Sequence, residues 1–150
     1  MIDKLLSSNR ETQAKFGAVS PTGSSRKRIL IVEDNSLNRL MLEDYLGFCG
    51  YQVLSLPTAD KFFEEIARFQ PDLILLDLKL PGIDGYTLLE QLKAKPNLQH
   101  IPVIIVSAFA FRMDRQRAFN LGACRYFIKP VDLTELKTAI YDQLSHELKD

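Results

Sequence analysis

The stretch Leu73-Ile74-Leu75-Leu76-Asp77-Leu78-Lys79-Leu80-Pro81-Gly82 constrains this chain more than any other. A run of leucine and isoleucine without polar alternation, closed by Pro-Gly, reads as a strand buried on both faces. A carboxylate inside such a run is expensive unless it stands at the strand's end, in a site. Asp77 is therefore a turn cap or part of a site, and this stretch alone does not decide between them.

The neighbouring stretches repeat the pattern. Ile29-Leu30-Ile31-Val32 is a first buried strand that runs into Glu33-Asp34-Asn35. The helix after it carries Leu37, Leu40, Met41, Tyr45 and Phe48 on one stripe, and Gly47 and Gly50 mark its end. Tyr51 to Leu56 alternates as a strand does. Pro57-Thr58 opens a second helix with Phe62, Phe63 and Ile66 on its core face. Ile83 to Ala94 is a third helix, with Tyr86, Leu88, Leu89 and Leu92 inward. Ile101 to Val106 is another strand buried on both faces, ending in Ser107. A fourth helix lies within Arg112 to Leu121, stopped by Gly122. Arg125 to Ile128 is the last strand and ends in Lys129-Pro130. Asp132-Leu133-Thr134-Glu135 has capping-box spacing, and Leu133, Leu136, Ile140 and Leu144 line the final helix.

Five strands thus alternate with five helices. The crossovers are too long for hairpins, so the expected fold is α/β, a doubly wound five-stranded parallel sheet. A chain of 150 residues with 46% hydrophobic and 25% charged residues suits one such domain. Residues 1–26, ending in Ser20-Pro21-Thr22-Gly23-Ser24-Ser25, have linker composition, which leaves residues 27–150 for the domain. Lys+Arg and Asp+Glu are both 19, so no long-range pull on nucleic acid is implied. No apolar run reaches the roughly 18 residues of a membrane span, and the start lacks the apolar core of a signal peptide. A cytoplasmic protein with no direct nucleic-acid or membrane partner is expected. Cys49 and Cys124 have no metal-ligand spacing and read as buried free thiols.

Ligands of doubly wound sheets lie outside the carboxyl ends of the strands. Asp34, Asp77, Ser107 and Lys129 each stand at such an end, and Glu33 precedes Asp34. Three carboxylates in one pocket need a cation, and oxygen ligands shared with phosphate suit Mg²⁺. Lys129 adds a fixed positive charge and Ser107 a hydroxyl. A carboxylate nucleophile, a divalent ion, a lysine and a hydroxyl are the parts of phosphoryl transfer to aspartate.

The motifs Leu30-Ile31-Val32-Glu33-Asp34-Asn35, Leu76-Asp77-Leu78-Lys79-Leu80-Pro81-Gly82-Ile83-Asp84-Gly85, Val106-Ser107-Ala108 and Tyr126-Phe127-Ile128-Lys129-Pro130 cover four strand ends. From Ile29 to Leu148 the chain resembles the CheY-like receiver domain of two-component response regulators. The resemblance implies a flavodoxin-like (βα)5 fold with strand order 2-1-3-4-5. It implies Asp77 as phosphoacceptor, and Mg²⁺ (or Mn²⁺) held by Asp34, Asp77, the Lys79 backbone carbonyl and Glu33, the last through water. Ser107 and Lys129 would bind the phosphoryl oxygens, and the Lys129-Pro130 bond would be cis. Ser107 and Tyr126 would form the switch that biases the face of fourth helix, last strand and fifth helix. The implied partners are a sensor histidine kinase or histidine phosphotransfer protein upstream, and a protein bound by that face downstream. A free-standing regulator and the receiver module of a hybrid kinase both fit.

Phe109, Phe111 and Phe119 lie near that face or in the core. Lys79 and Phe109, each two residues past a site residue, are expected to lean over the pocket mouth and slow phosphate loss. Enzyme status is a matter of definition, since the only reactions expected are self-phosphorylation and autodephosphorylation at Asp77. A haloacid-dehalogenase-like phosphatase needs a second acid where Lys79 stands. A flavodoxin-like nucleotide binder needs a phosphate loop where Glu33-Asp34 would repel phosphate. A receiver-like binding module that works without phosphorylation usually lacks the acid pair or the lysine.

Overall fold

The computed structural model describes residues 26–149, so the linker expected over residues 1–26 lies, apart from Arg26, outside the described residues. Five strands, β1 (Arg28–Val32), β2 (Gln52–Leu56), β3 (Leu73–Leu76), β4 (Val103–Ser107) and β5 (Arg125–Ile128), alternate with five helices. These are α1 (Ser36–Phe48), α2 (Phe62–Phe69), α3 (Gly85–Ala94), α4 (Arg112–Asn120) and α5 (Leu133–Lys149). Every neighbouring pair of strands is parallel, and the order is β2-β1-β3-β4-β5, the CheY-like arrangement.

Successive strand residues face opposite sides of the sheet and build two cores. Leu30, Val32, Ile74, Leu76, Val103 and Ile105 point to one side, where Phe62, Ile66, Leu88, Leu92 and Ala118 of α2, α3 and α4 cover them. Ile29, Ile31, Leu73, Leu75, Ile104 and Val106 point to the other, beneath Leu42 and Leu46 of α1 and Leu136, Ile140 and Leu144 of α5. All four residues of β3 are buried. Each such leucine or isoleucine contributes about 1.5–3 kcal/mol of burial, which fixes β3 at the centre of the sheet.

The stripe expected to bury α1 is the one it turns to solvent. Leu37, Leu40, Met41 and Phe48 are exposed, Tyr45 is half-buried, and Leu42 and Leu46 take the core. The helix has apolar residues on two sides, and periodicity alone does not choose between them. Packing makes the choice: Leu42 and Leu46 join the cluster of Ile29, Ile31, Leu136 and Ile140. The Asn35 side chain accepts the Asn38 N–H (2.9 Å), and this cap fixes where the helix starts.

The other boundary shifts are local. α2 begins at Phe62 rather than near Pro57, because the intervening turn closes with Phe62 N–H on the Ala59 carbonyl (3.1 Å). α3 begins at Gly85 because Asp84 takes the N-cap position and accepts the Tyr86 N–H (3.0 Å). α1 ends where Gly50 adopts φ +101°, a left-handed conformation suited to glycine. Among the described residues no helix is long and apolar enough to cross a membrane. Cys49 and Cys124 are free thiols, half-buried rather than fully so.

Candidate functional site

Strand register brings the polar strand ends together. Val32 pairs with Leu76, so Glu33 and Asp77 stand side by side just beyond the ladder. The Asp77 N–H still donates to the Val32 carbonyl (3.1 Å), and the Glu33 N–H to the Leu56 carbonyl (3.0 Å). Ser107 pairs with Ile128, and the Lys129 N–H donates to the Ser107 carbonyl (2.9 Å). The Lys129-Pro130 peptide bond is cis.

Lys129 joins two buried carboxylates. Its Nζ lies 2.8 Å from Asp77 Oδ2 and 2.7 Å from Glu33 Oε1. Glu33 is 2% exposed, Asp77 4% and Ser107 0%, whereas Asp34 is open to solvent. The second oxygens are also fixed: Glu33 Oε2 accepts the Asn35 N–H (3.0 Å) and Asp77 Oδ1 the Lys79 N–H (3.1 Å). Burial raises the Glu33 carboxyl above the usual carboxylate range, and the Asp77 charge adds to the rise. The Lys129 and Asn35 hydrogen bonds offset this only in part. Burial alone would lower the Lys129 ammonium, but Asp77 and Glu33 outweigh it and hold Lys129 above its ordinary value.

One oxygen each from Glu33, Asp34 and Asp77 lie within 4.8 Å of one another. At that separation two full charges repel by roughly 3.5 kcal/mol at an effective dielectric of 20. Three carboxylates against one ammonium leave two negative charges in excess when all ionise. An oxygen-only donor set, with an exposed acid on one side and open positions toward solvent, fits a hard divalent cation such as Mg²⁺.

Ser107 and Tyr126 meet at the backbone of one residue, Phe109. Ser107 Oγ accepts the Phe109 N–H (3.1 Å), and the Tyr126 hydroxyl donates to the Phe109 carbonyl (2.7 Å). Burial raises the Tyr126 phenol. Phe109 itself is half-buried against the core, and Lys79 is exposed. Phe111 and Phe119 are exposed, on the α4 side of the molecule. The Lys79 backbone forms an isolated antiparallel bridge with Asp84. Next to Glu33 and Lys129 a cavity of about 350 Å³ opens, with Asn38, Met41, Val106 and Pro130 in its wall.

Two further residues shape the site. Asn35 caps α1 and holds Glu33, and its place before a helix is a cap signal in the sequence. Arg39 donates from Nη1 to the Glu33 carbonyl (3.0 Å), and no sequence pattern announces that contact.

A (βα)5 sheet with this acid cluster, a lysine bridging two of the acids and a strand-end hydroxyl defines a receiver domain of two-component signalling. The chain belongs to the response regulator receiver domain family, which it matches over residues 29–141. It is similar to the polar-differentiation response regulator DivK of Brucella ovis, 36% identical over 107 residues, or 71% of this chain and 87% of that one. Among solved structures, a CheY-like receiver domain protein of Methanospirillum hungatei superposes with TM-score 0.77 at 32% identity, covering 83% of this chain and 98% of that one. The receiver domain of a Pseudomonas aeruginosa sensor histidine kinase, with a magnesium ion coordinated in its active site cleft, superposes with TM-score 0.73 at 30% identity. It covers 81% of this chain and 99% of that one.

Proposed function

We propose that this chain accepts a phosphoryl group on Asp77 and relays it as a change of surface. The observation that carries the reading is the single lysine, Lys129, held within 2.8 Å of two buried carboxylates beside a third. A carboxylate oxygen of Asp77 attacks the donor phosphorus in line. The P–N bond of a phosphohistidine breaks, its electron pair leaves with the imidazole, and an acyl phosphate forms. Mg²⁺ held by Asp34, Asp77, the Lys79 carbonyl and, through water, Glu33 would screen the carboxylates and the incoming phosphoryl oxygens. Lys129 then gives up its bond to Asp77 and follows the phosphoryl oxygen. Ser107 offers its hydroxyl to a second oxygen.

The switch follows from the shared residue, Phe109. When Ser107 Oγ turns toward the phosphoryl group it releases the Phe109 N–H, and Tyr126 is bonded to the carbonyl of the same residue. The movement alters the face made by α4, β5 and α5, where Phe111, Met113 and Phe119 are exposed. The donor would be a sensor histidine kinase or histidine phosphotransfer protein, and the reader a protein bound on that face.

Incubation with acetyl phosphate, with and without Mg²⁺, tests the reading by intact mass. Addition of one phosphoryl group that requires Mg²⁺ supports it. No addition, or addition that ignores Mg²⁺, contradicts it.

A further inference from the structure

Between α3 and α4 lies a cluster that the phosphoryl site does not use. Tyr86, on the first turn of α3, is 5% exposed, and its hydroxyl donates to the Asp114 backbone carbonyl at 3.2 Å and to Asp114 Oδ1 at 3.4 Å. Arg117, one turn further along α4, lays its guanidinium 4.0 Å from the centre of the Tyr86 ring. The same guanidinium reaches within 4.0 Å of Asp84 Oδ2. An arginine stacked on a tyrosine while facing a carboxylate uses both its planarity and its charge.

Both ends of this cluster are anchored where function is proposed. Asp84 caps α3 and pairs with the Lys79 backbone, two residues beyond Asp77. Gly85 donates its N–H to the Leu78 carbonyl (2.9 Å), and a Cβ on Gly85 would stand 2.4 Å from Leu78 Cα. Asp84 and Gly85 therefore move with the Asp77 loop. At the other end, Asp114 Oδ2 accepts the Phe111 N–H (3.1 Å) and holds the first turn of α4. Phe111 and Met113, both exposed, stand on that turn.

We infer that Tyr86, Asp114 and Arg117 are positioning residues that clasp α4 to the Asp77 loop and give the phosphoryl site a second route to the α4 surface. The first route runs through Ser107, the Phe109 backbone and Tyr126. The clasp runs through Lys79, Asp84 and Arg117, none of which belongs to that route, although Tyr86 and Asp114 lie near Tyr126. The inference rests on the reading of Asp77 as phosphoacceptor. Coupling between two places is reciprocal. A clasp that transmits a change at Asp77 to α4 must also make the phosphoryl site sensitive to its loss.

The probe is beryllium fluoride with Mg²⁺, a phosphoryl mimic, read by amide hydrogen exchange across a titration. In the wild type, the mimic changes exchange both at 107–109 and at 111–117. Arg117→Ala removes a side chain that is 59% exposed, so the fold is kept. It should weaken mimic binding about 5- to 10-fold, at the low end of the usual span of coupling effects. It should also abolish the mimic-dependent change at 111–117 while sparing 107–109. Arg117→Lys, which keeps a cation over Tyr86, should restore the change at 111–117 at least in part. A clasp that only stabilised α4 would shift exchange equally with and without the mimic, leaving the difference intact; that result overturns the inference. So does a failure of Arg117→Lys to restore any of the change. A wild type that takes up no mimic overturns the reading of Asp77 and the coupling with it. Uptake with an unaltered Arg117→Ala response overturns the coupling alone.

Discussion

Substituting Gly85 by alanine is the sharpest structural perturbation the site offers. A Cβ there would meet Leu78 Cα at 2.4 Å, and the Asp77 and Leu78 carbonyl oxygens at 2.7 Å each. All three are backbone atoms, so no side chain can rotate away. Ordinary contact would need a separation larger by about 1 Å at the nearest atom, and the only movement available is of the Asp77–Leu78 chain or of α3 itself. Overpacking of this kind costs typically about 1–3 kcal/mol, and the Gly85 N–H bond to the Leu78 carbonyl adds about 1 kcal/mol if it is lost. A total near 3 kcal/mol lowers the melting temperature of a domain this size by roughly 6–12 °C. Thermal unfolding followed by circular dichroism measures it. Gly47→Ala is the control: it lies in α1 with nothing within 4 Å of the added Cβ, and better helix propensity should raise stability by about 0.5–1 kcal/mol. A melting temperature for Gly85→Ala within 2 °C of wild type would show that the loop yields freely. The rigid link between α3 and the Asp77 loop would then be refuted.

Three further outcomes are expected. Leu46→Ala, in the core beneath α1, should cost about 2–5 kcal/mol in chemical denaturation, while Leu37→Ala, exposed on the same helix, should fall within about 0.5 kcal/mol of wild type. A larger loss for Leu37→Ala than for Leu46→Ala would mean that α1 buries the other face. Burial raises the Tyr86 phenol to about 12, helped by the nearby Asp114 charge. A raised group adds stability that is complete below its unfolded value near 10 and is lost as pH rises through about 12, so folding should weaken across that window. In Tyr86→Phe that part of the alkaline loss should be absent; an unchanged profile would exclude Tyr86 as its source. Phe109→Ala should speed phosphate loss from the phosphorylated protein several-fold if its ring shields Asp77. An unchanged half-life would leave Phe109 a packing residue, in keeping with its half-buried place against the core.

How much of this was legible in the sequence depends on how far apart the contacting residues lie. The central strands were readable because their runs carry no polar alternation, and the polar residue at each carboxyl end marked the site. Glu33, Asp77, Ser107 and Lys129 converge because Val32 pairs with Leu76 and Ser107 with Ile128. A parallel doubly wound sheet makes that convergence predictable from order alone. The rotation of α1 was not readable, since Leu37, Leu40, Met41 and Phe48 form as good an apolar stripe as Leu42 and Leu46. Only the packing beneath decides which stripe is buried. The clasp was invisible for a different reason. Tyr86 and Asp114 are 28 positions apart, and nothing in local periodicity records that α3 and α4 present them to each other.

The central claim is that Asp77 itself carries the phosphoryl group, and chemical trapping tests it most directly. Protein treated with acetyl phosphate and Mg²⁺ is reduced with borohydride, which converts an acyl phosphate on aspartate to homoserine, and is then digested and mapped by peptide mass. The account predicts homoserine at position 77 and at no other aspartate, Asp34 included, and none in Asp77→Asn. Homoserine at another position, or a peptide spanning Leu73–Gly82 that returns unmodified from a phosphorylated sample, would contradict it.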